Sequence, residues 1–153
     1  MIESGTEAPQ FTLPDENGEP LSLADLRGQT VVLYFYPKAS TPGCTTQACG
    51  VRDNLPDYKK SGARVIGVSP DPVAKVKKFH DAQDLNFTLL ADDDHAVCEL
   101  YGTWVEKSMY GKTYWGAQRA TFIIDGDGVV RHVIPKVSPK THDELVLAAL
   151  AEL

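Results

Sequence analysis

Three stretches of the chain are apolar over the length of a strand. Thr30-Val31-Val32-Leu33-Tyr34-Phe35-Tyr36 is a run of β-branched, aliphatic and aromatic residues stopped by Pro37, the pattern of a strand buried on both faces. Val65-Ile66-Gly67-Val68-Ser69 and Ala120-Thr121-Phe122-Ile123-Ile124 repeat it. Near the amino end, Phe11-Thr12-Leu13 and Leu21-Ser22-Leu23 alternate with period two across the turn-forming Asp15-Glu16-Asn17-Gly18, which predicts a β-hairpin. Val129-Val130-Arg131-His132-Val133-Ile134 follows the strand at 120–124 after Gly126-Asp127-Gly128 and predicts a second hairpin. Helical segments are expected between the strands, at 42–60, Pro72 to Asp84, 95–102 and 141–153, with Val73, Val76, Lys77 and His80 at helical spacing.

Strands alternating with helices mean an α/β class. A strand ending at Pro37, a helix, a parallel strand at 64–69, another helix and a terminal hairpin plus helix match a thioredoxin-like layout. The expectation is a central mixed β-sheet flanked by helices, with an N-terminal β-hairpin. No internal repeat, low-complexity tract or linker interrupts the chain, and 153 residues fit one ordinary domain, so residues 1–153 are expected to form a single domain. Ligands of such sheets bind beyond the carboxyl ends of the strands, here beyond strand 30–36.

Charge narrows the partners. Fifteen Lys and Arg stand against 21 Asp and Glu, a net charge of −6, and the pI is near 5.1, which argues against nucleic acid and anionic membrane as partners. No apolar run approaches the roughly 18 residues of a membrane span. Met1-Ile2-Glu3-Ser4 has neither the basic start nor the apolar stretch of a signal peptide, so a cytoplasmic location is expected. Three cysteines, an odd number, do not make a secreted disulfide framework. In a reducing compartment they are free thiols, ligands or catalysts.

The ligand edge carries Pro37-Lys38-Ala39-Ser40-Thr41-Pro42-Gly43-Cys44. Thr41 suits an N-cap and Pro42 the first helical position, which puts Cys44 third, against unpaired backbone N–H groups and the positive end of the helix dipole. Both favour thiolate over thiol. Cys49 follows five residues later, a spacing unlike the C-x-x-C of dithiol oxidoreductases. On an ideal helix the two Cα atoms lie about 8.6 Å apart, whereas bridging tolerates at most about 7 Å. A Cys44–Cys49 bond would need the first turns to unwind. Gly50 and Pro56 read as weak points that let the helix open, or equally as close packing of Gly50 against a sheet and the start of a second helix at Pro56 after Asp53-Asn54.

The remaining candidates have plainer readings. Cys98, on a short amphipathic helix over 95–101, is expected as a core thiol, because its spacing from His95, Cys44 and Cys49 matches no structural zinc site. Asp92-Asp93-Asp94 lacks the glycine and distal glutamate of a calcium loop and reads as a solvated turn and helix cap. Trp104, Tyr110, Tyr114 and Trp115 make an aromatic-rich loop, expected as core or pocket wall. No flavin, haem or metal signature is present, so no cofactor is expected.

At the active-site segment the chain resembles the peroxiredoxins of the bacterioferritin-comigratory-protein, or Q-type, subfamily. Pro37, Thr41 and Cys44 match the P-x-x-x-T-x-x-C signature, and Thr41-Pro42-Gly43-Cys44-Thr45-Thr46-Gln47-Ala48-Cys49 resembles the subfamily's active-site helix. Further matches are Phe11-Thr12-Leu13-Pro14-Asp15, Tyr34-Phe35-Tyr36-Pro37-Lys38, Arg52-Asp53, Met109-Tyr110-Gly111-Lys112 and Arg119-Ala120-Thr121-Phe122. The resemblance implies thiol-dependent reduction of hydrogen peroxide and organic hydroperoxides. It makes Cys44 the peroxidatic thiolate, Cys49 the resolving cysteine, Thr41 and Arg119 the groups that orient and polarise the peroxide, and Pro37 a wall of the pocket. A thioredoxin-type dithiol reductant and a monomeric state are implied with it. The competing classes are a thiol–disulfide exchange protein, which the missing C-x-x-C disfavours, and a non-catalytic binding module of the same fold.

Overall fold

A computed structural model describes residues 1–153. The first half contains β1 (Thr12–Pro14), β2 (Pro20–Ser22), a 3₁₀ turn at Leu23–Leu26, β3 (Thr30–Phe35), α1 (Pro42–Asp53), α2 (Leu55–Lys60) and β4 (Ala63–Ser69). Then follow α3 (Val73–Ala82), β5 (Thr88–Ala91), α4 (Ala96–Tyr101), β6 (Trp104–Met109), β7 (Lys112–Ala117), β8 (Ala120–Ile124), β9 (Val130–Ile134) and α5 (His142–Ala151).

The most apolar run takes the centre of the sheet. β3 pairs in parallel with β4 and antiparallel with β8 within a five-stranded mixed sheet of order β5-β4-β3-β8-β9. Its side chains alternate between two cores, as strand geometry requires. Val32, Tyr34 and Tyr36 face one core, which holds Cys44, Ala48, Val51 and Tyr58 from α1 and α2, Phe79 from α3 and Val146 from α5. Val31, Leu33 and Phe35 face the other, which holds Cys98 and Tyr101 from α4, Phe122 and the amino-terminal Phe11 and Leu13. The sheet therefore stands between Cys44 and Cys98.

The amino-terminal hairpin forms with Leu13 opposite Leu21, one residue displaced from the expected strands, because Leu23 enters the 3₁₀ turn. The segment expected as one helix over 42–60 breaks at Asn54, and Pro56 takes an early position in α2, where its missing N–H costs nothing. Of the two readings of Pro56, the second-helix one holds. Two elements lie outside the expectations. β5 is a four-residue edge strand parallel to β4. The segment read as an aromatic loop is the β6–β7 hairpin, joined by Tyr110-Gly111 with φ of 52° and 76°, the positive values that a two-residue hairpin turn demands.

Asp92 is a further correction. It is buried rather than solvated and accepts from the backbone N–H groups of Val97 and Cys98 at 3.2 and 2.8 Å. The side chain thus caps α4 from inside the core, while His95, at the N-cap position, makes no side-chain cap bond.

Candidate active site

β3 ends at Phe35, and the chain crosses the sheet edge through 37–41 before α1 begins at Pro42. Thr41 holds the N-cap position with extended backbone (φ −83°, ψ 156°), but its hydroxyl makes no cap bond. It donates instead to the Lys38 carbonyl at 2.8 Å, so its proton is committed within the loop. The oxygen's lone pairs stay available to accept from a substrate. Ala39 N–H donates to the buried Asp71 carboxylate at 2.8 Å, tying the loop to the end of β4.

Cys44 is the third residue of α1 and is 2% exposed. Arg119, immediately before β8, donates from Nη2 to Cys44 Sγ at 3.4 Å and from Nη1 to Gln47 Oε1 at 2.5 Å. Gly43 leaves room for this approach, since a Cβ there would lie 3.2 Å from Arg119 Nη2. The structure thus brings Cys44, Thr41 and Arg119 together from α1 and the start of β8. Pro37 and Thr41 line a groove of about 400 Å³ whose other wall is the β6–β7 hairpin, with Trp104, Lys107, Tyr114 and Trp115. Cys49 is half-buried on the same unbroken helix, its thiol 3.5 Å from Gln83 Oε1, and all three cysteines are free.

Three neighbours were not among the candidates. Gln47 is fully buried, one helical turn after Cys44, and holds the Arg119 fork. Its signal was the three-residue spacing from Cys44, which puts both on one face of α1. Lys107 reaches from β6 across Gly116 and donates to the Ala117 carbonyl at 2.5 Å. Burial and the Arg119 charge hold its ammonium below the usual lysine range, against a smaller upward pull from Cys44. His142, at the start of α5, shares a 2.9 Å hydrogen bond with Thr121 Oγ1 and packs on Tyr34 with ring centres 5.3 Å apart. Burial, with Arg119 second, lowers its pKa from 6.5 to about 4.

A buried thiol at a helix start, a guanidinium fork on the sulfur and a groove beside them form a site for heterolysis of an oxygen–oxygen bond. Comparison with known proteins agrees with that chemistry. The AhpC/TSA family profile matches residues 4–133. The chain belongs to the AhpC/TSA family. Within it, the chain is 50% identical over 151 residues to peroxiredoxin Bcp of Escherichia coli, covering 99% of this chain and 97% of that one. Among solved structures, the Xanthomonas campestris bacterioferritin comigratory protein, described for alkyl peroxide reduction, superposes with a TM-score of 0.91 at 36% identity, covering 98% of both chains. Mycobacterium tuberculosis peroxidoxin BcpB gives 0.89 at 36% identity, covering 100% of this chain and 99% of that one.

This AhpC/TSA chain is accordingly a thiol peroxidase of the bacterioferritin-comigratory-protein, or Q-type, peroxiredoxins, and it has their thioredoxin-like fold. Peroxides are its substrates and a thiol its reductant. No helix is long and apolar enough to cross a membrane.

Proposed function

We propose that Cys44 is the peroxidatic thiolate, that Arg119 and Thr41 position the peroxide, that Pro37 walls the pocket, and that Cys49 resolves the product as an intramolecular disulfide. The observation that carries this reading is the Arg119 Nη2 contact with Cys44 Sγ, 3.4 Å at the start of α1. The thiolate attacks one peroxide oxygen, and the oxygen–oxygen bond breaks. One oxygen stays on sulfur as a sulfenic acid, and the other leaves as alkoxide or hydroxide and takes a proton. Charge grows on the leaving oxygen, where the Arg119 fork and the backbone N–H groups at the start of α1 supply donors fixed in advance. Thr41 Oγ1, its own proton held by Lys38, accepts from the substrate hydroperoxide proton.

The Cys49 thiol then attacks the Cys44 sulfenic sulfur, forming a disulfide and releasing water. A dithiol of the thioredoxin type exchanges with that disulfide and is itself oxidised. Burial of Cys98 in the opposite core, with its thiol pushed up by desolvation and then by Asp92, suits a structural role. The groove beside Thr41 has room for organic hydroperoxides as well as hydrogen peroxide, in keeping with the alkyl peroxide activity described for the Xanthomonas protein. We read the chain as one domain, monomeric and cytoplasmic.

Stopped-flow oxidation with cumene hydroperoxide and hydrogen peroxide tests the assignment. Cys44→Ser should abolish peroxide consumption. Cys49→Ser should retain it with a small thiol as reductant, which separates a peroxidase from a thiol–disulfide exchange protein. Loss of the first oxidation step in Cys49→Ser would overturn the division of roles.

A further inference from the structure

The two halves of α1 are held differently. Beyond Cys49, Gly50 lies so close to α5 that a Cβ there would run into Oδ2 of Asp143. One turn on, Asn54 Nδ2 reaches the same oxygen at 3.5 Å and also donates to the Gly50 carbonyl at 2.8 Å. A further turn on, the Tyr58 hydroxyl donates to Asp143 Oδ1 at 2.5 Å. Spaced by four, these residues form one stripe across α1 and α2, and one carboxylate meets all of it. Arg52 ties the same stretch to the opposite side, donating from Nη1 to the Gln83 carbonyl at 2.6 Å, while its own carbonyl accepts from Asn86 Nδ2 at 3.2 Å.

Ahead of Gly50 the polar ties are fewer. Arg119 holds Cys44 and Gln47, and the Cys49 thiol touches Gln83. The Thr45 and Thr46 hydroxyls turn back onto their own helix, to the carbonyls of Thr41 and Pro42 at 2.8 and 3.1 Å. The side chains buried from this half are short or polar, Cys44, Gln47 and Ala48, against Val51, Leu55 and Tyr58 beyond it. Undoing the first half removes less apolar surface from the core.

We propose that Asp143 is the pin that sets, at Gly50, the carboxyl-terminal limit of the segment that unwinds when Cys44 and Cys49 join. The inference rests on the Cys44–Cys49 pairing proposed above. Bond formation expels water from the Cys44 sulfenic acid and the Cys49 thiol, and it requires the turn between them to open. Residues up to Cys49 release, while those from Val51 onward stay docked on α5 and the α3–β5 loop. The Asp143 side chain is 17% exposed, and burial raises its carboxyl above the usual range against the hydrogen bonds from Tyr58 and Asn54. A carboxylate in that position depends on both donors, so the stripe holds or leaves as a unit.

Peptide-resolved hydrogen exchange tests the limit on the full chain in three states: reduced, after one equivalent of hydrogen peroxide, and as Cys49→Ser treated with the same peroxide. In the oxidised parent, amides of residues 45–53, which donate to the carbonyls of 41–49, should exchange at least about tenfold faster than in the reduced form, with 54–60 unchanged. Cys49→Ser should show no such acceleration. In Asp143→Ala the fast region of the oxidised form should extend to residue 60, while 45–53 of the reduced variant matches the parent. Tyr58→Phe keeps the ring in the core and should show the same extension in part, which covers the case in which Asp143→Ala fails to fold. Fast exchange throughout 45–60 in the oxidised parent overturns the proposal, as does a fast region that still ends at residue 53 in both variants. Equal acceleration of 54–60 in reduced and oxidised Asp143→Ala assigns the residue to static packing and also overturns it. Disulfide mapping of the same samples keeps the failures apart, because a missing Cys44–Cys49 bond removes the pairing itself.

Discussion

Gln47 meets Arg119 through a single hydrogen bond, yet that bond decides where the guanidinium points. A hydrogen bond to a charged group contributes about 1.5–3 kcal/mol, so Gln47→Ala should slow Cys44 oxidation by about tenfold or more while leaving the fold intact, as read by stopped-flow fluorescence. His142 carries a pH signature. Its pKa is about 4 in the folded protein against an ordinary 6.5, so the unfolded chain takes up the proton first. Stability is fully present above pH 6.5 and is lost as pH falls toward 4, by up to roughly 3 kcal/mol. Asp143, its carboxyl raised, acts in the opposite sense and partly offsets the loss. Urea midpoints at pH 7 and pH 4.5 should therefore fall in the parent and hold nearly level in His142→Gln. The motif residues of the site were legible in the sequence, because Pro37, Thr41 and Cys44 are close in the chain. Gln47 and His142 were not, since the chemistry of each depends on a partner far away in the chain, Arg119 at 72 residues and Thr121 at 21.

Helix arithmetic alone favours Ala at position 50 by about 0.5–1 kcal/mol, but the Asp143 carboxylate occupies the place of the new methyl. Crowding of that kind costs about 1–3 kcal/mol, so Gly50→Ala should destabilise the protein and lower its melting temperature by a few degrees in a thermal scan. Gly50 is closely packed, but against Asp143 of α5 and not against the sheet. Strands buried on both faces, such as β3 and β8, announced themselves as apolar runs. β6 and β7 did not, because their hairpin exposes Met109, Tyr114 and Trp115 and so lacks an apolar–polar alternation. Its only cue was Tyr110-Gly111, a turn in which a bulky residue takes a positive φ. β5 is too short to outweigh the turn-like residues around it.

At the scale of the whole molecule, the central sheet partitions the thiols. Cys44 lies in one core and Cys98 in the other, so Cys98→Ala should leave both the peroxidase rate and the mapped disulfide unchanged. A dominant Cys44–Cys98 linkage would contradict the partition. The layered α/β order was readable from the alternation of apolar runs and helical spacing. The two-core division needed the register, which no single strand reveals. One arrangement at the centre has a temporal consequence. Both groups that hold the Arg119 fork, Cys44 and Gln47, belong to the stretch of α1 that disulfide formation would undo. On the roles proposed above, each turnover dismantles the anion cradle that made it possible, and the enzyme enters a refractory interval. Its recovery is timed by the return of the helix, after the reductant has acted, and not by the supply of peroxide.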